Sequence, residues 1–228
     1  MNYNKKILTF FKNLQIDTNL PEGVSVMNPY QNEIAFSLCE KFYKKYYNNT
    51  QSRKIILGIN PGRFGAGLTG IPFTDPVKLE EECGIKNDLP KKRELSADFI
   101  YLMINAFGGK ETFYNQFYFG SVSPLGFTKD GKNLNYYDDP QLQKAALPFI
   151  INTINTQINL GLNTEVAYCL GEGKNYKFLS KLNLEYKFFN KIIPLSHPRF
   201  IMQYRRKTMD LFINDYLKKL NDPDSFMP

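Results

Sequence analysis

Residues 58–73, GINPGRFGAGLTGIPF, form a segment whose composition favours close contact with a ligand. The segment contains five glycines, and a backbone without side chains can approach a bound molecule closely. Asn60 places a polar amide near its start, directly after the apolar run that predicts a buried strand over 54–59. The sequence therefore predicts a binding or catalytic loop here, and a plain flexible loop is the alternative.

The same glycines match the Gly-X-Gly-X-X-Gly pattern of dinucleotide-binding folds, at Gly65, Gly67 and Gly70. That pattern normally starts at the end of a strand and opens a helix. Here it begins several residues late, and Pro72 and Pro76 follow where the helix would run. No Gly-Lys-Ser or Gly-Lys-Thr occurs either, which argues against a P-loop.

His197 is the only histidine of the chain, which excludes a metal site built from several histidines. It follows the apolar run 191–195, and Pro198 restricts the backbone after it. A lone histidine is more often structural than functional. Its place at a predicted strand end, beside basic residues, favours a functional role.

Arg205, Arg206 and Lys207, named here the basic cluster, precede the last amphipathic segment, so we expect them to open the final helix. Cations oppose the macrodipole at a helix N-terminus, so helix stability does not explain them. An anion such as a DNA phosphate would bind both the side chains and the free backbone N–H groups. A solvated charge cluster is the alternative.

The spacing of apolar residues predicts the elements that must position these segments. Helices are expected near 7–14, 34–46, 97–107, 141–160 and 209–220. Strands are expected at 54–59, 117–122, 165–170 and 191–195. Alternating strands and helices indicate an α/β fold with a mostly parallel, four-stranded central sheet flanked by helices. The length suits one domain, 1–228.

Three loops follow strands of this predicted sheet, at 60–76, 121–127 and 196–206. In open α/β sheets, ligands bind beyond the carboxyl ends of the strands. We therefore expect these loops, which include Asn60 and His197, to converge on one site.

Charge and cysteine content limit the partners and the compartment. The chain has 29 Lys and Arg against 22 Asp and Glu, a net charge of +7, which favours an anionic partner, nucleic acid first. Cys39, Cys83 and Cys169 are odd in number and far apart, which argues against disulfides and an iron–sulfur cluster. We expect a cytoplasmic monomer without a membrane span or a signal peptide, since Lys12 interrupts the N-terminal apolar run.

Together these motifs resemble those of the uracil-DNA glycosylase superfamily, most closely its single-strand-selective monofunctional branch. Residues 58–73 are similar to that branch's first motif, a Gly-X-Asn-Pro-Gly loop ending in Gly-Val-Pro-Phe. Residues 123–125, SPL, and 131–134, GKNL, resemble its Cys-Pro-Leu and Gly-Arg-Asn-Leu segments. Residues 196–199, SHPR, resemble its second catalytic motif, a His-Pro-Ser-Pro-Arg loop.

The resemblance implies a role for each motif. Asn60 would position the attacking water, His197 would hydrogen-bond the base carbonyl, and Phe73 would stack on the flipped base. No cofactor or metal is implied. The implied sites are catalytic at Asn60 and His197, base-binding at Gly58, Ile59, Gly62, Phe64, Phe73 and Ser121, and DNA-binding at Arg63, Arg199, Phe200, Arg205, Arg206 and Lys207.

Two positions depart from the branch. Ser121 stands where the branch reads uracil with an Asn side chain, and a hydroxyl cannot make the paired contact of an amide. The second motif also lacks the middle Ser-Pro, which leaves open whether Arg199, Phe200 or Tyr204 enters the DNA stack as a wedge.

We therefore expect a monofunctional DNA glycosylase that removes uracil, and other deaminated bases, from single- or double-stranded DNA. Neither main motif contains a lysine, so a Schiff-base lyase step has no obvious nucleophile there. The alternatives are a nucleic-acid-binding protein that kept this fold without catalysis and a nucleotide-binding enzyme that uses the glycine loop.

Overall fold

Helices and strands alternate along residues 1–226, the part of the chain that this computed structural model describes. None of these helices is long and apolar enough to cross a membrane. The helices are α1 (Tyr3–Lys12), α2 (Glu33–Tyr46), α3 (Ala66–Thr69), α4 (Pro76–Glu81), α5 (Leu95–Ala106), α6 (Lys110–Gln116), α7 (Pro140–Ile158), α8 (Lys174–Tyr186), α9 (Pro198–Tyr204) and α10 (Met209–Asn221). The strands are β1 (Val24–Met27), β2 (Lys54–Gly58), β3 (Phe117–Ser121), β4 (Gly126–Lys129), β5 (Lys132–Leu134), β6 (Val166–Leu170) and β7 (Lys191–Leu195).

Four strands form the central sheet in the order β3-β2-β6-β7, and all of them are parallel. The two inner strands are nearly continuous apolar runs, as expected where helices cover both faces of a sheet. The predicted α/β fold with a four-stranded parallel sheet is confirmed. Its carboxyl edge carries the ends of all four strands on one side of the molecule.

Aromatic side chains join the sheet to helices on both faces, because successive side chains of a strand point in opposite directions. On β3, Tyr118 packs edge-on against Tyr3 of α1. Its neighbours Phe117 and Phe119 point the other way and pack against Phe113 of α6. The sheet therefore lies between two helical layers.

A second sheet, antiparallel with the order β1-β4-β5, was not predicted from the sequence. Its strands have only three or four residues, and several of their side chains are exposed, so no apolar alternation marks them. β4 begins just after Leu125 and β5 ends at Leu134, so this sheet supports the region beside the Asn60 loop.

Three sequence-based expectations near the site are wrong. Residues 60–76, predicted as a loop, contain the short helix α3. Residues 196–206, predicted as a loop, contain α9, which begins with Pro198 because the first helical position needs no N–H donor. The basic cluster does not open the final helix: residues 206–208 form a 3₁₀ turn, and α10 begins at Met209. Elements of only three to seven residues are too short to give a periodic signal.

Candidate active site

A cavity of about 480 Å³ opens at the carboxyl ends of the parallel strands. Gly58 ends β2, Ser121 ends β3, Gly171 follows β6 and His197 follows β7, and all four line this cavity. The structure therefore brings the predicted loops together. The predicted site residues in the lining are Gly58, Ile59, Asn60, Gly62, Phe73, Ser121, His197, Arg199 and Phe200.

The side chain of Asn60 is fixed by the backbone that follows β5. Its Oδ1 accepts a hydrogen bond of 3.1 Å from the N–H of Tyr136, and its Nδ2 donates one of 3.3 Å to the carbonyl of Leu134. Nδ2 also donates a longer hydrogen bond of 3.4 Å to the carbonyl of Pro61, so both of its hydrogens have acceptors. The amide oxygen has a second lone pair, so Asn60 can still accept a hydrogen bond from a water. A neutral amide has no basic site to accept a proton from that water.

His197 is the N-cap of α9, and its Nδ1 accepts a hydrogen bond of 3.1 Å from the backbone N–H of Arg199. A ring nitrogen that accepts carries no proton, so the neutral ring carries its proton on Nε2. Burial, and then the charge of Arg199, lower the pKa of His197 to about 4. The ring is therefore neutral at pH 7 and offers one N–H donor at the cavity wall.

An aromatic wall is made by Phe73, whose φ of 55° is rare for a residue other than glycine. This conformation places the ring directly over Gly58, where a Cβ atom would lie 2.9 Å from the ring Cζ. The ring also packs against Phe119, with centroids 5.2 Å apart. Phe73 lines the cavity because Gly58 leaves room for its ring.

Ser121 is buried at the end of β3 and pairs in register with Gly58 of β2. Gln157 of α7 donates a hydrogen bond of 3.1 Å to the carbonyl of Ser121, which holds the strand end in place. The Ser121 hydroxyl makes no hydrogen bond with any residue from 1 to 226, so it is available to a ligand in the cavity.

One edge of the cavity is formed by α9. Phe200 and Tyr204 lie one helical turn apart, both are exposed, and their ring centroids are 5.8 Å apart. Arg199 is also exposed and lines the same edge. Exposed aromatic rings beside a cavity provide stacking surfaces for nucleobases.

The structure places Phe64 and Arg63 outside the lining of this cavity. The exposed ring of Phe64 lies between the guanidinium of Arg63, at 5.0 Å, and the ammonium of Lys92, at 4.6 Å. It borders a smaller adjoining pocket of about 160 Å³. The backbone N–H of Arg63 donates a hydrogen bond of 3.1 Å to Oδ1 of Asn133, a residue that lines both pockets.

The basic cluster lies beyond the α9 edge, exposed and outside the cavity lining. Arg205 stacks over the ring of Phe200, with its guanidinium carbon 5.5 Å from the ring centroid. None of the three side chains forms an ion pair with another residue of the described chain. The cluster can therefore meet an anion that approaches the cavity edge.

A hydrogen-bond network that sequence reasoning missed links the backbone contact of Asn60 to the end of β6. The hydroxyl of Tyr136, the residue whose N–H binds Asn60, donates 2.7 Å to Oδ1 of Asn175. Asn175 in turn donates 2.9 Å to the carbonyl of Leu170 at the end of β6. The network joins distant parts of the chain, so no local spacing could have indicated it.

Glu94, just before α5, also lines the cavity and was not predicted. Burial, with the nearby carboxylate of Asp75, raises the pKa of Glu94 to about 7, while Arg199 acts in the opposite direction. Its sequence context, KKREL, is a charged run without a recognisable motif.

The described residues provide no obvious place for a metal ion or a dinucleotide. The three cysteines are buried thiols, and within 1–226 no three His, Cys, Asp or Glu side chains converge in a metal-ligand arrangement. The glycine pattern at Gly65, Gly67 and Gly70 spans α3, which has only four residues, whereas the pattern of a dinucleotide-binding fold opens a full helix.

Sequence comparison decides the family. Residues 44–221 match the profile of the Uracil DNA glycosylase superfamily. This chain belongs to that superfamily. The matched region contains both Asn60 and His197, so these two residues of the cavity lining belong to the part of the chain that matches the family.

A solved structure of the same superfamily is very similar. The crystal structure of wild-type Pedobacter heparinus SMUG2 is 48% identical in sequence and superposes with a TM-score of 0.96, covering 99% of this chain and 100% of that chain. The predicted relationship to the single-strand-selective monofunctional branch, and the uracil-DNA glycosylase fold, are confirmed. As a superfamily member, the chain is a DNA glycosylase-type hydrolase of DNA repair.

Proposed function

We propose that this protein is a monofunctional DNA glycosylase that hydrolyses the N-glycosidic bond of uracil, and of other deaminated bases, in DNA. One observation carries the proposal: Asn60 and a neutral His197 line the same cavity, together with the aromatic ring of Phe73. A base held against the ring would therefore have a water-holding amide and an N–H donor within the same cavity.

Departure of the base is the difficult step, because negative charge develops on it as the bond breaks. The Nε2–H of His197 would donate to a carbonyl oxygen of the base as this charge grows. A preorganised donor of this kind stabilises a transition state by roughly 3–4 kcal/mol. Since the pKa of His197 is about 4, the donor is the neutral imidazole across the physiological range.

Water attack on the sugar follows or accompanies loss of the base, since such bonds break through an oxocarbenium-like sugar. Asn60 would hold the water through the second lone pair of its Oδ1, which the hydrogen bond from Tyr136 leaves free. The target base must leave the DNA stack to reach the cavity. Stacking on Phe73 would repay part of that cost.

Base selection would depend on Ser121. Its hydroxyl can donate or accept, so it can face a carbonyl or a ring nitrogen. A fixed amide would match one base edge and reject others, because its buried polar groups would then lack partners. We therefore include hypoxanthine and xanthine among the substrates.

DNA would lie along the α9 edge. Phe200 and Tyr204 would contact the bases next to the target, while Arg199 and the basic cluster would bind phosphates. The net charge of +7 adds a general attraction for DNA. Phosphate contacts of this kind position the protein without reading sequence.

The monofunctional assignment rests on the absence of lysine from both main motifs. One lysine from outside these motifs lines the cavity, Lys174 at the start of α8. Its ammonium lies 5.8 Å from the ring centroid of Tyr137. Borohydride trapping, with Lys174→Ala as control, tests this assignment: we expect no trapped protein–DNA adduct, and an adduct that Lys174→Ala abolishes would establish a lyase instead.

A panel of oligonucleotides, each with one uracil, hypoxanthine or xanthine, tests the proposal. Each is incubated with excess protein and then treated with alkali, which cleaves the strand at abasic sites. We expect cleavage at the damaged position, and only after alkali. A folded protein that binds these oligonucleotides without producing abasic sites would instead be a nucleic-acid-binding member of the fold.

A further inference from the structure

Glu94 is the only acidic residue that lines the main cavity within residues 1–226. Its backbone N–H donates a hydrogen bond of 2.7 Å to Oδ2 of Asp75. The other oxygen of Asp75 caps α4 by accepting hydrogen bonds from Val77 and Lys78, at 2.9 and 2.8 Å. Glu94 is therefore held at a fixed point between α4 and α5.

The Glu94 carboxyl group reaches the loop that carries Asn60. A Cβ atom on Gly62 would lie 3.2 Å from Oε1 of Glu94, and a Cβ atom on Gly65 would overlap Oε2. Two glycines of the first motif thus make room for this carboxyl group. On its other side lies Arg199, which shares a pocket with Glu94 and follows His197 closely in sequence.

This carboxyl group makes no hydrogen bond and no ion pair with any residue of the described chain. The residue is partly exposed and borders the cavity, so its carboxyl group is available to a water or a ligand there. Burial and the Asp75 carboxylate raise the pKa of Glu94 to about 7, so it gains and loses a proton near neutral pH.

We infer that Glu94 is a catalytic residue: its carboxylate faces the reacting sugar and accepts a proton from the water that Asn60 holds. This inference rests on the proposed function. Asn60 can position the water, but its amide cannot accept the proton, and a neutral His197 is assigned to the base. Glu94 is the one group in the lining that combines negative charge with basicity.

The step is balanced without a further reactant. The water oxygen bonds to C1′ of the sugar, the bond from C1′ to the base breaks, and its electron pair leaves with the base. One water proton passes to the carboxylate of Glu94, which later releases it to solvent, and the base anion takes up a proton from solvent. Before attack, the carboxylate also stabilises the positive charge that develops on the sugar.

The inference predicts a pH dependence that His197 does not explain. The base form of Glu94 increases as pH rises, so the rate should rise through about pH 7 and then level off. The charged groups that act on Glu94 are Asp75, the N-cap of α4, and Arg199 from α9, while the neighbouring Arg93 pairs with Glu81 at 2.8 Å. Asp75 favours the protonated form of Glu94, and Arg199 favours the ionised form.

The test measures single-turnover uracil release from one oligonucleotide between pH 5.5 and 9, for wild type, Glu94→Gln and Glu185→Gln. Glu185 is an exposed carboxylate near the far end of α8, so its variant removes an equal charge away from the cavity. At pH 8, Glu94→Gln should lower the rate by about 10²-fold, remove the rise near pH 7 and leave the Kd for DNA within about threefold. Glu185→Gln should behave as wild type.

Melting temperature separates catalysis from folding. The pKa of Glu94 is higher in the folded protein than its value near 4.3 in the unfolded chain, so ionised Glu94 lowers the free energy of unfolding at pH values above about 4.3. Glu94→Gln removes this destabilising charge and should therefore melt at the same or a higher temperature at pH 8. A Glu94→Gln protein that keeps the wild-type rate and pH profile, or that loses rate and DNA affinity together, overturns the inference. A wild-type protein that releases no base overturns the proposed function as well.

Discussion

The backbone N–H of Arg199 points at Nδ1 of His197 from 3.1 Å, and this hydrogen bond determines which ring nitrogen carries the proton. With Nδ1 as acceptor, the proton is on Nε2. Burial and the charge of Arg199 both lower the pKa of the ring and disfavour the imidazolium ion. The segment after β7 thus provides a neutral donor, which would not need to titrate during the proposed reaction.

The tautomer of His197 can be measured directly, because the chain contains no other histidine. We expect ring ¹⁵N shifts from untagged protein to show Nε2 protonated and Nδ1 unprotonated at pH 7. Conversion to imidazolium should occur only as pH falls toward the lowered pKa of about 4. A midpoint near the ordinary value of about 6.5 would contradict this assignment.

The lowered pKa of His197 also determines how the free energy of unfolding changes with pH. Between about pH 6.5 and 4 the unfolded chain binds a proton at this histidine that the folded chain does not, so the contribution of His197 to the unfolding free energy falls as pH drops through this window. Substituting His197→Gln should remove this component. Urea unfolding of wild type and His197→Gln at pH 7 and pH 4.5 measures this contribution. If the free energy of unfolding falls by the same amount in the two proteins, groups other than His197 cause the decrease.

Gly58→Ala should displace the ring of Phe73, because the added Cβ atom would lie 2.9 Å from Cζ. A misplaced stacking surface should lower single-turnover uracil release by about 10-fold or more, with little effect on DNA affinity. Gly173→Ala is the matched control, since Gly173 also lines the cavity and a Cβ atom there meets nothing within 4 Å. Equal rates in the two variants would show that the Phe73 ring does not contact the base.

Ser121→Asn should narrow the range of bases toward uracil, because an amide presents a fixed donor and acceptor. We expect the ratio of single-turnover rates, hypoxanthine over uracil, to fall by about 10-fold. Ser121→Ala, which keeps the space but removes the hydroxyl, should slow both bases instead. If neither variant changes the ratio, Ser121 does not read the base.

Arg206→Ala should weaken DNA binding with little dependence on sequence. The slope of log Kd against log salt should decrease by about 0.7–0.9 for each DNA phosphate that the variant no longer neutralises. Lys5→Ala, which removes an exposed cation on α1, serves as the control and should leave the slope unchanged. An identical slope in Arg206→Ala would mean that the cluster is only solvated charge.

Sequence patterns predicted the elements whose apolar residues keep one period over several turns or along a buried strand. β2 and α10 are examples, since each buries a regular set of side chains. The patterns missed β1, β4 and β5, whose stability comes from pairing with strands that are distant in sequence. They also missed α9, because its two exposed aromatic residues interrupt any amphipathic pattern.

The candidate site could be predicted only where its residues belong to motifs. The order of the motifs located Asn60, Phe73 and His197, which the fold brings to one cavity. Motif membership did not indicate that Phe64 lies outside this lining, with its ring near two cations, and its role in base binding stays a prediction. Glu94 could not be predicted, because only folding brings its carboxyl group against the glycines of the first motif.

The most direct test of the proposed activity measures free base. Wild type, Asn60→Ala and His197→Ala are each incubated in excess with a single-stranded oligonucleotide that contains one uracil, and released uracil is quantified by mass spectrometry. We predict one uracil per oligonucleotide from wild type, with the strand intact until alkali is added, and rates lower by about 10²-fold in each variant whose DNA binding is retained. A folded wild-type protein that binds the oligonucleotide and releases no uracil, or an Asn60→Ala variant as fast as wild type, would contradict the proposed mechanism.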